Sequence, residues 1–168
     1  MIVLGVDPGV AATGYGVVER RDGAPPRLLE CGVWRPRTRA PLPERLRDIY
    51  EGLVEVVDRL RPDVLSVEGV FFGRNVRTAV VLGQARGVVL LVAAQRGVGI
   101  AEYAPAQVKS ALTGTGSAAK GQVAFMVQQH LRLSAPPAPA DAADAVAVAL
   151  CHLGHVRTPA PARRARTR

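Results

Sequence analysis

A run that is apolar on nearly every side has to be enclosed by the rest of the fold, and residues 138–150, APADAADAVAVAL, form such a run. Alternating Val146, Val148 and Leu150 look strand-like. The alanine content, the continuation to Cys151 and the proline-rich lead-in SAPPAPA favour a helix beginning near Asp141. On a strand Asp141 and Asp144 point to opposite faces; on a helix they share one face, a turn apart. A plain structural role is also open to them, with Asp141 as an N-cap and Asp144 as a first-turn carboxylate favoured by the helix dipole. A buried helix needs something flat to pack on, and the remaining sequence supplies strands.

MIVLGVD is a short apolar run ending in an acid, PGVAATG turns the chain, and YGVVERR reads as the returning strand. A third strand over about 28–34 completes a meander. From Glu44 to Leu60 the apolar residues Leu46, Ile49, Tyr50, Leu53, Val57 and Leu60 recur at helical spacing, with charges opposite. VLSVEG is a buried strand closing on Glu68, VFFGRN a loop, and 76–95 a second long helix whose 83–94 stretch is apolar or small on most sides. That stretch requires a core position or a partner subunit. VGIAEYAP is a fifth strand, AQVKSAL a short helix, TGTGSAAKG a loop, and 123–131 a helix leading to the last one. Strands and helices alternate after an opening meander, which predicts an α/β layer structure with a mixed sheet.

Two cysteines without metal-site spacing point to a reducing compartment, and hence the cytoplasm. The longest uninterrupted apolar run, 88–94, is too short for a bilayer, so no membrane association is expected. Net charge is +8, and subtracting the five arginines of residues 157–168 leaves +3. The chain therefore divides into a domain over 1–156 and a basic tail over 157–168 that adds sequence-independent attraction to phosphate. Of 22 cationic side chains 20 are arginine; the two lysines, Lys109 and Lys120, fall in one short region, where a compact ammonium has a use that a planar fork does not.

Four of the fourteen acids stand apart. Asp7 and Glu68 each close an apolar strand, at the strand ends where open α/β sheets place their sites, and Asp141 and Asp144 open a buried helix. If the first and fourth strands are neighbours, the four converge. Two carboxylates 4 Å apart repel by about 4 kcal/mol at an effective dielectric near 20, so four need a counter-charge. Oxygen-only donors favour a hard divalent ion, magnesium first and manganese as its substitute. His152 and His155 invite a zinc reading, but His152 lies about 12 Å along the helix from Asp144. Two ions about 4 Å apart suit phosphodiester hydrolysis. Lys120, reaching in from its loop, would neutralise the pentacoordinate phosphate, and Lys109 would hold a neighbouring one.

GVDPGVAATGYGVV, VEGVFFGRN, LGQARGV, YAPAQVKSALTGTGSAAKGQV and DAADAVAVALCH, in this order and over about residues 2–155, resemble the RuvC family of Holliday junction resolvases. The resemblance implies a ribonuclease H-like fold, a five-stranded mixed sheet flanked by helices on both faces. It implies a homodimer that resolves four-way DNA junctions by paired symmetric nicks with two magnesium ions per active site, in company with the RuvA and RuvB branch-migration proteins. It places catalytic carboxylates at Asp7, Glu68, Asp141 and Asp144, basic active-site residues at Lys109 and Lys120, and the junction-contacting aromatic at Phe71, with Phe72 as the alternative. Arg74, Asn75, Arg77 and Ser117 join Lys109 and Lys120 as expected DNA contacts. Gly69 stands where many relatives carry glutamine and Arg74 where lysine is usual, which bears on DNA grip. Two other readings remain: a nuclease-inactive or RNA-processing ribonuclease H-like relative, and an actin-like ATPase or kinase lobe, for which GVDPGVAATGYG resembles a first phosphate loop.

Overall fold

The strands form where the sequence places them, as β1 (Ile2–Asp7), β2 (Thr13–Glu19), β3 (Arg27–Trp34), β4 (Val64–Glu68) and β5 (Gly99–Tyr103). This computed structural model describes residues 1–37, 39–69 and 76–156, without the Arg77 side chain. The helices are α1 (Leu42–Leu60), α2 (Val76–Arg96), α3 (Pro105–Thr113), α4 (Lys120–Leu131) and α5 (Ala140–His155). One sheet of order β3-β2-β1-β4-β5 joins the antiparallel meander β1–β3 to the parallel trio β1, β4 and β5. The fold is α/β and ribonuclease H-like, with a five-stranded mixed sheet.

Period-two alternation divides the core. Leu4, Val6, Val17, Leu65 and Val67 pack toward α1 and α2, while Val3 and Val18 turn to the opposite face, with α3, α4 and α5. The sheet thus carries helices on both faces. α5 is the central helix of its side, with Ala145, Val146, Ala149 and Cys151 fully buried. It comes unusually close to β1 and β2 because the strand residues beneath it have no side chain. A Cβ on Gly5 would lie 2.1 Å from the Ala145 carbonyl oxygen, one on Gly14 2.0 Å from that of Asp141, and one on Gly16 2.3 Å from Val146 Cγ2. The Ser66 hydroxyl adds a hydrogen bond, donated to the Val148 carbonyl at 3.1 Å.

Two helix boundaries and one cap differ from expectation. α1 starts at Leu42, before Glu44, since Pro43 in the first turn forfeits only an amide that has no helical partner. α4 starts at Lys120 rather than Val123: Gln122 Oε1 accepts a hydrogen bond from the Ala119 amide, as Gln107 Oε1 does from Ala104 at the start of α3. A glutamine at the third helical position is the acceptor half of a capping box. α5 is capped by Pro139, so Asp141 is not its N-cap, and Asp144 lies beyond the first turn.

α2 is longer and more apolar than its uninterrupted run indicated. Thr78–Arg96 is long and apolar enough, by length and composition alone, to cross a membrane. Its Ala85, Val89, Val92 and Ala93 side is nevertheless fully buried in the core, while Val76, Val80 and Leu91 are 75%, 55% and 51% exposed.

Candidate active site

The parallel pairing of β1 with β4 runs Val3 to Val64 through Val6 to Val67, and one further step sets Asp7 beside Glu68. Both point to the α5 face, by alternation from Val3 and Ser66. α5, held down on the glycine track, brings Asp144 over them. Asp7, Glu68 and Asp144 line one cleft of about 360 Å³ with Lys109 and Lys120, over a floor that includes Val108, Val123 and Ala147. Lys109 comes from α3. Lys120 is the first residue of α4, not a loop residue, and its Nζ donates to Asp144 Oδ2 at 2.8 Å. Asp141 stands at the rim, 3.7 Å from the guanidinium of Arg35.

Negative charge is crowded here. Burial first, then Glu68 and Asp144, with a smaller part from Asp141, pushes Asp7 up from 3.8 to about 7, against the opposing pull of Lys120. Glu68 is raised by burial and Asp144, with Lys120 and Lys109 opposing. Lys120 is raised in turn, chiefly by its hydrogen bond to Asp144. Burial and the neighbouring carboxylates together outweigh the two lysines, so added positive charge would be favoured in the cleft. The donor set is all oxygen and fits a hard cation. The histidines are engaged elsewhere: His152 Nδ1 lies 2.9 Å from the Tyr103 hydroxyl, and His155 Nδ1 lies 2.8 Å from the Cys151 carbonyl oxygen. Among the described residues no three Asp, Glu, His or Cys side chains gather closely enough to ligate one ion as they stand; Asp144 is turned to Lys120 and Asp141 to Arg35.

The family model described as crossover junction endodeoxyribonuclease RuvC matches residues 3–152. The chain belongs to the RuvC family. The RuvC crossover junction endodeoxyribonuclease of Pelotomaculum thermopropionicum is 51% identical over 155 residues, spanning 92% of this chain and 94% of that one. The Thermus thermophilus RuvC structure superposes with a TM-score of 0.83 at 42% identity, covering 92% of this chain and 94% of the other. The T. thermophilus RuvC structure in complex with a Holliday junction substrate gives 0.84 at 38% identity, with the same coverage. These matches do not favour the actin-like ATPase or kinase reading.

Of the residues singled out in this RuvC-family sequence, Asp7, Glu68, Asp144, Lys109 and Lys120 share the cleft. Asp141 couples electrostatically to it from the rim. Ser117 is exposed in the α3–α4 loop, its Oγ 3.0 Å from the Thr115 hydroxyl. Phe71, Phe72, Arg74, Asn75 and the Arg77 side chain lie outside the described residues. Arg35, which the structure sets beside Asp141, carried no signal, because one of three arginines in RPRTRAP cannot be told from the others until the register shows which face it shares. Gly5, Gly14 and Gly16 were missed, although glycines spaced by two within strands announce a close neighbouring backbone.

Proposed function

We propose that this RuvC-family chain is a magnesium-dependent endonuclease that resolves four-way DNA junctions by paired symmetric nicks, acting as a cytoplasmic homodimer. The observation that carries the reading is the convergence of Asp7, Glu68 and Asp144, from three separate segments, in one cleft with the chain's only two lysines. Residues 1–156 form the nuclease domain, and 157–168 a basic tail that adds attraction to phosphate. Manganese substitutes for magnesium, and RuvA and RuvB are partners, a part of the reading supported by family membership alone.

Asp7, Glu68, Asp144 and Asp141 would hold the metal, and two bound ions would supply an activated water and stabilisation of the leaving oxygen. Lys120 leaves Asp144 to meet the charge that builds on the scissile phosphate, and Lys109 holds a neighbouring phosphate. Partial burial of Asp7 and Glu68 reduces their hydration and strengthens the charge interactions they make in the cleft. Phe71 or Phe72 stacks on an opened base step while Arg74, Asn75, Arg77 and Ser117 contact the strand.

Purified protein offered a mobile four-way junction, a duplex and a single strand is expected to nick the junction alone, symmetrically, and to stop when chelator is added. Equal cutting of all three substrates contradicts the proposal, and so does cutting in chelator.

The dimer is supported by the outer stripe of α2, where Val76, Val80, Gly83, Gly87 and Leu91 are exposed at helical spacing. A twofold enzyme presents two copies of one site to two equivalent strands. Val80→Glu with Leu91→Glu is expected to halve the mass measured by light scattering. An unchanged mass places the interface elsewhere.

A further inference from the structure

Cations flank the carboxylates on both sides, and Lys109 and Lys120 account for only one of them. The register carries a single row across the sheet end: Val33 pairs with Gly14, Gly14 with Asp7, and Glu68 with Tyr103. Arg35 lies two residues beyond Val33, so strand alternation puts it on the same face as Asp7. α5 crosses that face over Gly14, against which the Asp141 backbone is pressed. Arg35 therefore meets Asp141 from the β3 side, across the acids from the two lysines.

The contact is loose. Nη2 to Oδ2 is 3.7 Å, with the two side chains 54% and 41% exposed, too long for a hydrogen bond and worth at most about 1 kcal/mol. A guanidinium held so weakly exchanges readily onto a phosphate, whose oxygens match its fork. Arg37, also exposed, follows two residues later in the same connection.

We propose that Arg35 is a positioning residue that grips a phosphate beside the scissile one from the β3 side of the cleft, and that before DNA arrives it occupies Asp141. This deepens the nuclease reading of the cleft and rests on it. DNA that draws Arg35 away leaves Asp141 without its counter-charge and ready for metal. By reciprocity, metal on Asp141 frees Arg35 for DNA. Metal and junction then bind cooperatively, and in the DNA-free protein Arg35 opposes metal.

Two measurements without turnover test this. In the first, wild type, Arg35→Ala, Arg35→Lys and Arg21→Ala bind a fluorescent four-way junction, and in parallel a plain duplex, in chelator over a range of salt. Arg21, paired with Glu19 at the opposite end of β2, controls for the lost charge. In the second, the same proteins without DNA are titrated with Mn²⁺ alone, the free ion being counted by electron paramagnetic resonance. Arg35→Ala is expected to bind the junction about 5–10-fold more weakly and to lose about one from the log–log salt slope. It is expected to bind Mn²⁺ about 2–5-fold more tightly. Arg35→Lys keeps the slope, and Arg21→Ala matches wild type in both. Arg35→Ala with the junction affinity and slope of Arg21→Ala overturns the proposal, as does unchanged or weaker Mn²⁺ binding. Wild type that prefers duplex to junction sinks the resolvase reading itself, whatever Arg35 does.

Discussion

Asp7→Asn is expected to abolish cleavage, by about three orders of magnitude or more, and at the same time to make the metal-free protein more stable. The two effects have one cause. The fold raises Asp7 from 3.8 to about 7, with burial the largest contribution. Between those values the folded protein keeps a proton that the unfolded chain has released, so wild-type stability falls as pH rises from about 4 to 7 and stays low above. Asparagine cannot ionise and escapes that loss. In chelator at pH 8 the variant is expected to gain about 2 kcal/mol, or about 4–8 °C in Tm for a chain of this size. At pH 4 the two proteins should melt together. Magnesium should then stabilise the wild type and leave Asp7→Asn nearly unmoved. A variant that melts below wild type at pH 8 in chelator would show that ionising Asp7 does not cost the fold stability.

Gly14→Ala and Gly5→Ala are expected to be nearly as damaging, although neither residue carries a functional group. A Cβ at either position would sit 2.0–2.1 Å from a carbonyl oxygen of α5, and backbone cannot step aside as a side-chain end can. Each is expected to cost about 3 kcal/mol, or about 6–12 °C in Tm. Gly14→Ala displaces the Asp141 end of α5, so its cleavage and metal binding should fall further than those of Gly5→Ala at matched stability. Gly154→Ala serves as the control. It lies on the same helix with no atom within 4 Å of the added methyl, and should gain about 0.5 kcal/mol from helix propensity. Tolerance of Ala at position 14 would mean that α5 does not lie on β2 as described.

These two results also mark how far the sequence could be read unaided. Asp7 and Glu68 were legible because an acid closing an apolar strand of an α/β fold has few roles, and Asp144 because a carboxylate in a buried helix needs a reason. The strand register that brings them together was not legible, since β1 and β4 are separated by a meander and a long helix whose packing side fixes their pairing. Nor was the start of α4, where Gln122 rather than an apolar residue marks the boundary. Arg35 shows the same limit: alternation assigns a face only when the neighbouring strand is known. Asp141 was legible as a candidate, yet its pairing with Arg35 depends on how closely three glycines let a helix approach a sheet.

The central claim is that Asp7, Glu68, Asp141 and Asp144 together hold paired hard cations beside the scissile phosphate. Anomalous diffraction from Mn²⁺-loaded crystals of the wild-type protein tests it most directly. The account predicts two peaks about 4 Å apart in the cleft, each bonded to Asp7 or to another of these carboxylates, with Lys120 moved off Asp144. Mn²⁺ bound at His152 and His155, or elsewhere with the four acids unligated, would contradict it.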